Sequence, residues 1–180
     1  AHLVSYYEEN ELQRIPQIVV LLQQGIDIAL VSDAGTPTIS DPGFKLVREC
    51  INQGIKVEAI PGPSSVLTAL TVSGLPTDKF LFVGYLPRKP GKRIELLDTL
   101  FKCFKTFKQL TSTVILFEAP HRLVKTLEEL KEVYGDIEIV ICRELTKMHE
   151  EIRREKTSES IEHFQKIHPK GEFVILFHFD

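Results

Sequence analysis

"TVILFEAPHRLVKTLEELKEVYGDIEIVIC", residues 113–142, holds the pattern that decides the fold. Its two ends, "TVILFE" (113–118) and "IEIVIC" (137–142), are short β-branched runs that read as strands buried on both faces. Between them "RLVKTLEELKEVY" (122–134) sets Leu123, Leu127 and Leu130 on one stripe and stops at Gly135, as an amphipathic helix does. The same alternation extends outward. "IDIALVS" (26–32), "IKVEAI" (55–60), "FLFVGYL" (80–86) and "EFVILF" (172–177) read as further strands. "FKLVRECINQ" (44–53) reads as a helix with Asp41 as N-cap, Pro42 as first helical residue and Gly54 as stop, and "SSVLTALTVS" (64–73) as another between Pro63 and Gly74. Strands alternating with helices predict βαβ units, a mostly parallel sheet and the α/β class.

Bulk properties narrow what such a chain does. Its 180 residues are 43% hydrophobic and 26% charged with a net charge of −3, the profile of an ordinary globular protein. The longest purely aliphatic run, "IVVLL" (18–22), is far short of the roughly 20 residues of a membrane-spanning helix, so no membrane is expected as a partner. Cys50, Cys103 and Cys142 are odd in number, far apart and in no CxxC pair, which predicts neither a disulfide framework nor a zinc site and suits a reducing cytoplasm. His121 and His149 have no third ligand at a recognisable spacing, so no metal is expected. The break "GLPTDKF" (74–80) coincides with a change of charge. Residues 1–79 carry 5 Lys and Arg against 9 Asp and Glu, and residues 80–180 carry 17 against 16. Two α/β domains are therefore expected, residues 1–76 with a mostly parallel sheet and residues 80–180 with a mixed one.

In an open α/β sheet ligands bind beyond the carboxyl ends of the strands. Three loops leave strands there with unusual composition: "SDAGTPTISDPG" (32–43), "PGPSS" (61–65) and "EAPHR" (118–122). Gly35 and Gly62 let a backbone approach a ligand closely. Each loop alone is explained by a tight strand-to-helix turn, but the three together are not, since a plain turn requires neither Asp33 at a strand end nor a proline on both sides of Gly62. The GxGxxG and GxxxxGK[ST] fingerprints are absent. That leaves a ligand served by backbone polar groups and one or two carboxylates, Asp33 and Glu118, such as a nucleoside with a positively charged centre.

Other residues have a plain reading beside the functional one. His121 and Arg122 start a helix, where capping or surface pairing serves as well as chemistry. "RELTKMHEE" (143–151) reads by composition as an exposed loop laced with ion pairs. Residues 88–108 hold 7 basic and 2 acidic side chains, in "RKPGKR" and Lys102, Lys105 and Lys108. Such a run is most often a solvated helix face, yet its contrast with the acidic first half also suits contact with phosphates.

Six motifs, "VSDAGTPTISDPG", "IPGPSSVLTAL", "SGLPTDKFLFVGYLPRK", "FEAPHRLVKTLEEL", "RELTKMHEE" and "GEFVILF", together resemble in order and spacing the bacterial ribosomal RNA small-subunit methyltransferase I family, cytidine 2′-O-ribose methylases of the tetrapyrrole methylase superfamily. The resemblance spans nearly the whole chain. It implies S-adenosylmethionine as methyl donor, a cofactor cleft between two α/β domains, ribosomal RNA of the small subunit as partner, and a homodimer. On that resemblance Asp33, Ala34 and Gly35 match the place where the superfamily runs past the methionine part of the donor. Ile39 and Ser40 follow along it, Ser64 and Ser65 lie beside it, and Phe117 and Glu118 reach it from the second domain. The family's opening loop, similar to "TPIGNLxD", and its "EDTR" stretch do not occur here, so the chain is expected to begin about one βαβ unit inside the family's first domain, which would then be incomplete.

Methyl transfer from a sulfonium requires an oxygen nucleophile aligned with the methyl carbon and water kept out; no metal is needed. A ribose hydroxyl is a poor acid, so a base or cation assists its deprotonation. Glu118, His121, Lys147 and Glu150 are the candidates, and the sequence does not choose among them. A tetrapyrrole or diphthamide-pathway methylase on the same fold, or a non-catalytic nucleotide-binding module, are the rival readings. "RKPGKR", "EAPHR" and "TKMHEE" favour RNA over the first of these, and the binding of a methyl donor distinguishes the second.

Overall fold

The computed structural model describes residues 2–179, which fall into two compact units, Ala1–Ser64 and Ser65–Asp180. The second unit is built on a five-stranded sheet. Its strands are β1 (Phe80–Tyr85), β2 (Thr113–Glu118), β3 (Glu138–Arg143), β4 (Glu151–Lys156) and β5 (Phe173–Phe177), in the order β1-β2-β5-β3-β4. β1 and β2 are parallel, β5 runs antiparallel between β2 and β3, and β4 is antiparallel to β3. The β2-helix-β3 unit quoted from the sequence is therefore present, but its two strands are neighbours of β5 rather than of each other. The sheet is mixed, as expected for the second half of the chain.

Helices cover the sheet because each face is apolar. On one side lie α4 (Pro90–Thr106), α5 (Leu123–Tyr134) and α6 (Thr157–Lys166), whose Leu97, Leu127, Leu130 and Phe164 join Val114, Leu116, Ile139, Ile141 and Phe173 in one core. Full burial of each leucine contributes about 1.5–3 kcal/mol. On the other side α3 (Ser65–Ser73) presses Val66, Ala69 and Leu70 onto Ile115, Val140, Cys142, Val174 and Leu176. Arg154 on β4 fastens the end of α3 by donating to the carbonyls of Ser73 (3.1 Å) and Val72. β4 itself is an edge strand, and the Glu151, Arg153 and Glu155 ion pairs give it the charged character that discourages further strand pairing. Sequence reading did not find β4 or α6: "EIRREK" has little apolar alternation, and its strand is made by pairing with β3.

The first unit has no strand among its described residues. It consists of α1 (Glu11–Gln23) and α2 (Phe44–Asn52), packed through Ile18, Leu46 and Cys50, and long irregular segments. Residues 26–32 and 55–60, expected as strands of a mostly parallel sheet, form neither strand nor helix. A β-branched run states what can pair, and pairing requires a neighbour. Val31 and Ile60 are accordingly 80% and 82% exposed. The cap of α2 also differs from expectation. The helix begins at Phe44 with Gly43 as N-cap at φ 131°, rather than with Asp41 and Pro42; a Cβ at position 43 would lie 2.6 Å from Leu30 Cδ2, so this cap position requires glycine.

Amides of residues 26–32 and 55–60 should exchange with solvent orders of magnitude faster than those of β2 and β5, which open only with the unit as a whole. Hydrogen exchange followed by mass spectrometry checks this; equal protection of all four segments would show a ladder in the first unit.

Candidate functional site

Glu118, Phe173 and Arg143 stand in register across β2, β5 and β3. The loops after β1, β2 and β3 therefore leave the same end of the sheet, and those after β2 and β3 are separated by two strand spacings, about 10 Å. This end gathers Arg88 and Lys89 after β1, His121 and Arg122 after β2, and Lys147, His149 and Glu150 after β3. All four catalytic candidates, Glu118, His121, Lys147 and Glu150, belong to it.

Their surroundings differ sharply. Glu118 is 1% exposed. Its carboxylate accepts hydrogen bonds from the backbone N–H of Ala119 (2.8 Å) and the Thr126 hydroxyl (2.6 Å), and Arg122 Nε lies 3.2 Å from it. The side chain is turned into the helix-covered core, where its oxygens are already engaged. Lys147 is exposed between Glu172 (2.7 Å) and Glu144 (3.2 Å). Hydrogen bonds to those carboxylates, Glu172 first, raise its pKa above that of an ordinary lysine, so it presents a cation. Glu150 is exposed and accepts from the Thr146 N–H (2.6 Å). His121 is exposed in a short 3-10 turn, Pro120–Arg122.

The loop carrying Lys147 is strongly shaped. Glu144 and Thr146 have φ of 48° and 64°. Glu144 N donates to Glu172 O (3.1 Å), and Glu144 Oε1 accepts from Glu172 N (2.9 Å). The Glu144 carboxyl, its pKa lowered first by that N–H and then by Lys147, lies over Gly171, where a Cβ would come within 2.7 Å of it. The ion-pair lacing expected of "RELTKMHEE" is thus present, and it orders the loop.

The basic run 88–108 divides. Arg88, Lys89 and Lys92 are exposed. Arg93 is buried against Glu129 of α5, with Nη2 to Oε1 at 2.5 Å and Nε to Oε2. Lys102 pairs with Asp98 (2.6 Å), and Lys105 stands over the Phe101 ring at 4.9 Å. Lys102 and Lys105 thus belong to a paired helix face, and Arg88, Lys89 and Lys92 are open to solvent. Arg93, read within "RKPGKR" as a cation suited to phosphates, is removed from that surface by its burial, and its partner Glu129 was not singled out from the sequence. The signal was a pair of opposite charges on the apolar faces of two helices, Arg93 four residues before Leu97 and Glu129 beside Leu130.

In the first unit the opening loop is open to solvent. Asp33, Ala34, Gly35, Ile39 and Ser40 are exposed, and Thr38 and Ser40 have φ of 74° and 60°. Thr36 Oγ1 donates to Pro63 O (2.8 Å), tying this loop to "PGPSS". Ser65 is exposed, Ser64 half-buried, and Phe117, on β2, half-buried. The far end of the loop hangs on Glu11, which sequence reading missed. Its buried carboxylate accepts from Gly43 N (3.1 Å) and Tyr6 OH (2.8 Å) and pairs with Lys45 (2.8 Å).

The loops at this sheet end are shaped and rich in cations, which suits a ligand-binding site beyond the carboxyl ends of the strands of an α/β fold. The sequence profile of the tetrapyrrole (corrin/porphyrin) methylases matches residues 4–160. The ribosomal RNA small subunit methyltransferase I of Thermotoga maritima is 44% identical over 97% of this chain and 75% of its own length. That of Hydrogenobaculum sp. is 45% identical over 97% of this chain and 73% of its own. The fold is also that of uroporphyrin-III C-methyltransferase from Thermus thermophilus, solved with S-adenosyl homocysteine, at TM-score 0.57 and 18% identity over 95% of this chain and 74% of that one. The chain belongs to the tetrapyrrole methylase family, on the branch of ribosomal RNA small subunit methyltransferase I.

Burial pushes the Glu11 carboxyl up, but hydrogen bonds from Lys45, Tyr6 and Gly43 outweigh it and hold the pKa below the ordinary value. Its stabilising effect is present above the unfolded-state pKa of about 4.3 and is lost as pH falls through the lower folded value. Glu11→Gln should cost about 1–3 kcal/mol at pH 7, and the difference from the unsubstituted protein should vanish below that range. Denaturant titrations at pH 7 and at a series of falling pH values check both statements; a difference independent of pH would exclude ionised Glu11 as its source.

Proposed function

We propose that this protein is an S-adenosylmethionine-dependent methyltransferase that methylates a cytidine 2′-hydroxyl in ribosomal RNA of the small subunit. The observation that carries the RNA reading is a charge pattern. Residues 86–94 and 119–127, which leave β1 and β2 side by side, contain no carboxylate, while Arg88, Lys89, Lys92, His121 and Lys125 are exposed. Such a surface suits a polyanion better than the small ligand of a tetrapyrrole or diphthamide-pathway methylase, and the relatives at 44% and 45% identity carry the ribosomal RNA name.

The residues present fit the donor. The loop 32–43 offers an exposed carboxylate, Asp33, for the ammonium end. Beside it Gly35, at φ 70°, has nothing within 4 Å of where a Cβ would stand, so its backbone is open to a ligand. Ala34, Ile39, Ser40 and Ser64 of the same unit are assigned to the donor with it. Bound S-adenosylmethionine supplies a methyl group on a good leaving group. The chain's own part is to align the ribose oxygen, exclude water and manage one proton. Lys147, held protonated by Glu172 and Glu144, serves as a cation beside the developing alkoxide. His121 or Glu150, both exposed, takes the proton. Glu118, whose oxygens are engaged internally, orients its loop.

Working as a homodimer and residence in the cytoplasm are further parts of this proposal. No helix among the described residues is long and apolar enough to cross a membrane. β1 is an edge strand that exposes Phe80 and Leu81, an apolar edge suited to a second copy. Light scattering should give twice the chain mass, and Leu81→Lys should return the monomer mass; a monomer at all concentrations excludes the dimer.

Asp33→Ala should weaken S-adenosylmethionine binding at least tenfold by calorimetry, and Arg88→Ala with Lys89→Ala should weaken binding to small-subunit ribosomal RNA. Every cation withdrawn from a phosphate should reduce the salt slope by about 0.7–0.9. Unchanged donor affinity removes Asp33 from the site. Unchanged RNA affinity and slope remove the carboxylate-free loops.

A further inference from the structure

The connection from β1 to α4 is four residues long, Leu86–Lys89, and three of its four carbonyls accept from an arginine side chain. Leu86 O accepts from Arg122 Nη2 (2.8 Å). Pro87 O and Arg88 O both accept from Arg93 Nη1 (3.2 and 3.3 Å), and Lys89 O accepts from Arg93 N (3.1 Å). Arg93 is 3% exposed and its partner Glu129 6%. The second arginine is drawn inward by Glu118, which also holds Thr126 of α5. Two arginines and two carboxylates thus form a neutral, largely buried quartet beneath the loops after β1 and β2.

A buried ion pair is weak evidence of stability alone, because desolvation consumes most of the attraction and a well-packed apolar pair does as well. What an apolar pair would not provide is a fork of donors. A guanidinium engages a carboxylate with two N–H groups and has others left over for carbonyls in fixed directions; a lysine has no such geometry. Here the leftover donors fix the backbone of the loop whose side chains Arg88 and Lys89 face solvent.

We propose that the Arg93–Glu129 pair is a positioning device for RNA: by holding the carbonyls of Pro87 and Arg88, and through the neighbouring Arg122–Glu118 pair the loop after β2, it fixes the direction in which Arg88 and Lys89 present their charges. The inference rests on the proposed contact between these loops and ribosomal RNA. Neither Arg93 nor Glu129 touches the nucleic acid.

The test combines Arg93→Lys, which keeps the charge and loses the fork, with the double variant Arg88→Ala and Lys89→Ala, separately and together in the whole protein. Small-subunit ribosomal RNA is the probe, over a salt series. Arg93→Lys should weaken RNA binding about fivefold, with S-adenosylmethionine affinity within about twofold. In the Arg88→Ala, Lys89→Ala background the same substitution should cost no further RNA affinity, since there is nothing left to position. Equal losses in both backgrounds overturn the inference. If the double variant weakens RNA binding and Arg93→Lys does not, the pair is structural only and the RNA reading stands. If the double variant binds RNA as before, the RNA reading fails and the inference with it. Should Arg93→Lys not fold, Glu129→Asp, which keeps the charge and draws the guanidinium back by one methylene, reads the same contrasts.

Discussion

β5 has to be paired on both edges and covered on both faces, and the second unit is arranged to meet that demand. Phe173–Phe177 are all buried. An unpaired backbone inside a core costs about as much as a lost hydrogen bond at every residue, so β2 on one side and β3 on the other are obligatory partners. Once β5 lies between them, β2 and β3 run the same way, and the loops that follow them leave at one end. The placement of His121 and Lys147 on a common rim is a consequence of the last strand in the chain.

At that rim the charges are sorted by depth. Glu118, Glu129, Arg93 and Arg122 are taken inward and neutralise one another, while the side chains left outside on the loops after β1 and β2 are cationic. Desolvation enforces the sorting, because an unpaired charge is not tolerated inside, and any carboxylate drawn in must bring a partner. The result is a rigid neutral foundation under a positive surface, on which the geometry of the loops depends more than on their own short sequences.

The first unit works by the same rule on a smaller scale. Glu11, carried by the first turn of α1, reaches across to Gly43 and Lys45 at the start of α2, closing the long loop 32–43 at its far end, while Thr36 ties its near part to Pro63. One buried carboxylate and one hydroxyl set the course of a loop that carries several proposed donor-binding residues.

Much was legible in the sequence because its cause is local. The β-branched runs at 80–86, 113–118, 137–142 and 172–177 became strands within a residue or two, and the leucine stripe of 122–134 became α5, since period and burial are written in neighbouring residues. The motif loops could be singled out for the same reason: proline, glycine and Asp33 act on their own backbone. Tertiary structure decided what depends on residues far apart. It put an antiparallel strand between β2 and β3, and it made a strand of the charged "EIRREK" by giving it a partner. It left residues 26–32 and 55–60 without a ladder, because apolar alternation alone does not supply a neighbour. It also turned Glu118 from a candidate ligand contact into a buried anchor and Arg93 from a surface cation into half of an ion pair, since whether a charge meets solvent or a counter-charge is settled by helices that the chain brings together from 36 residues apart.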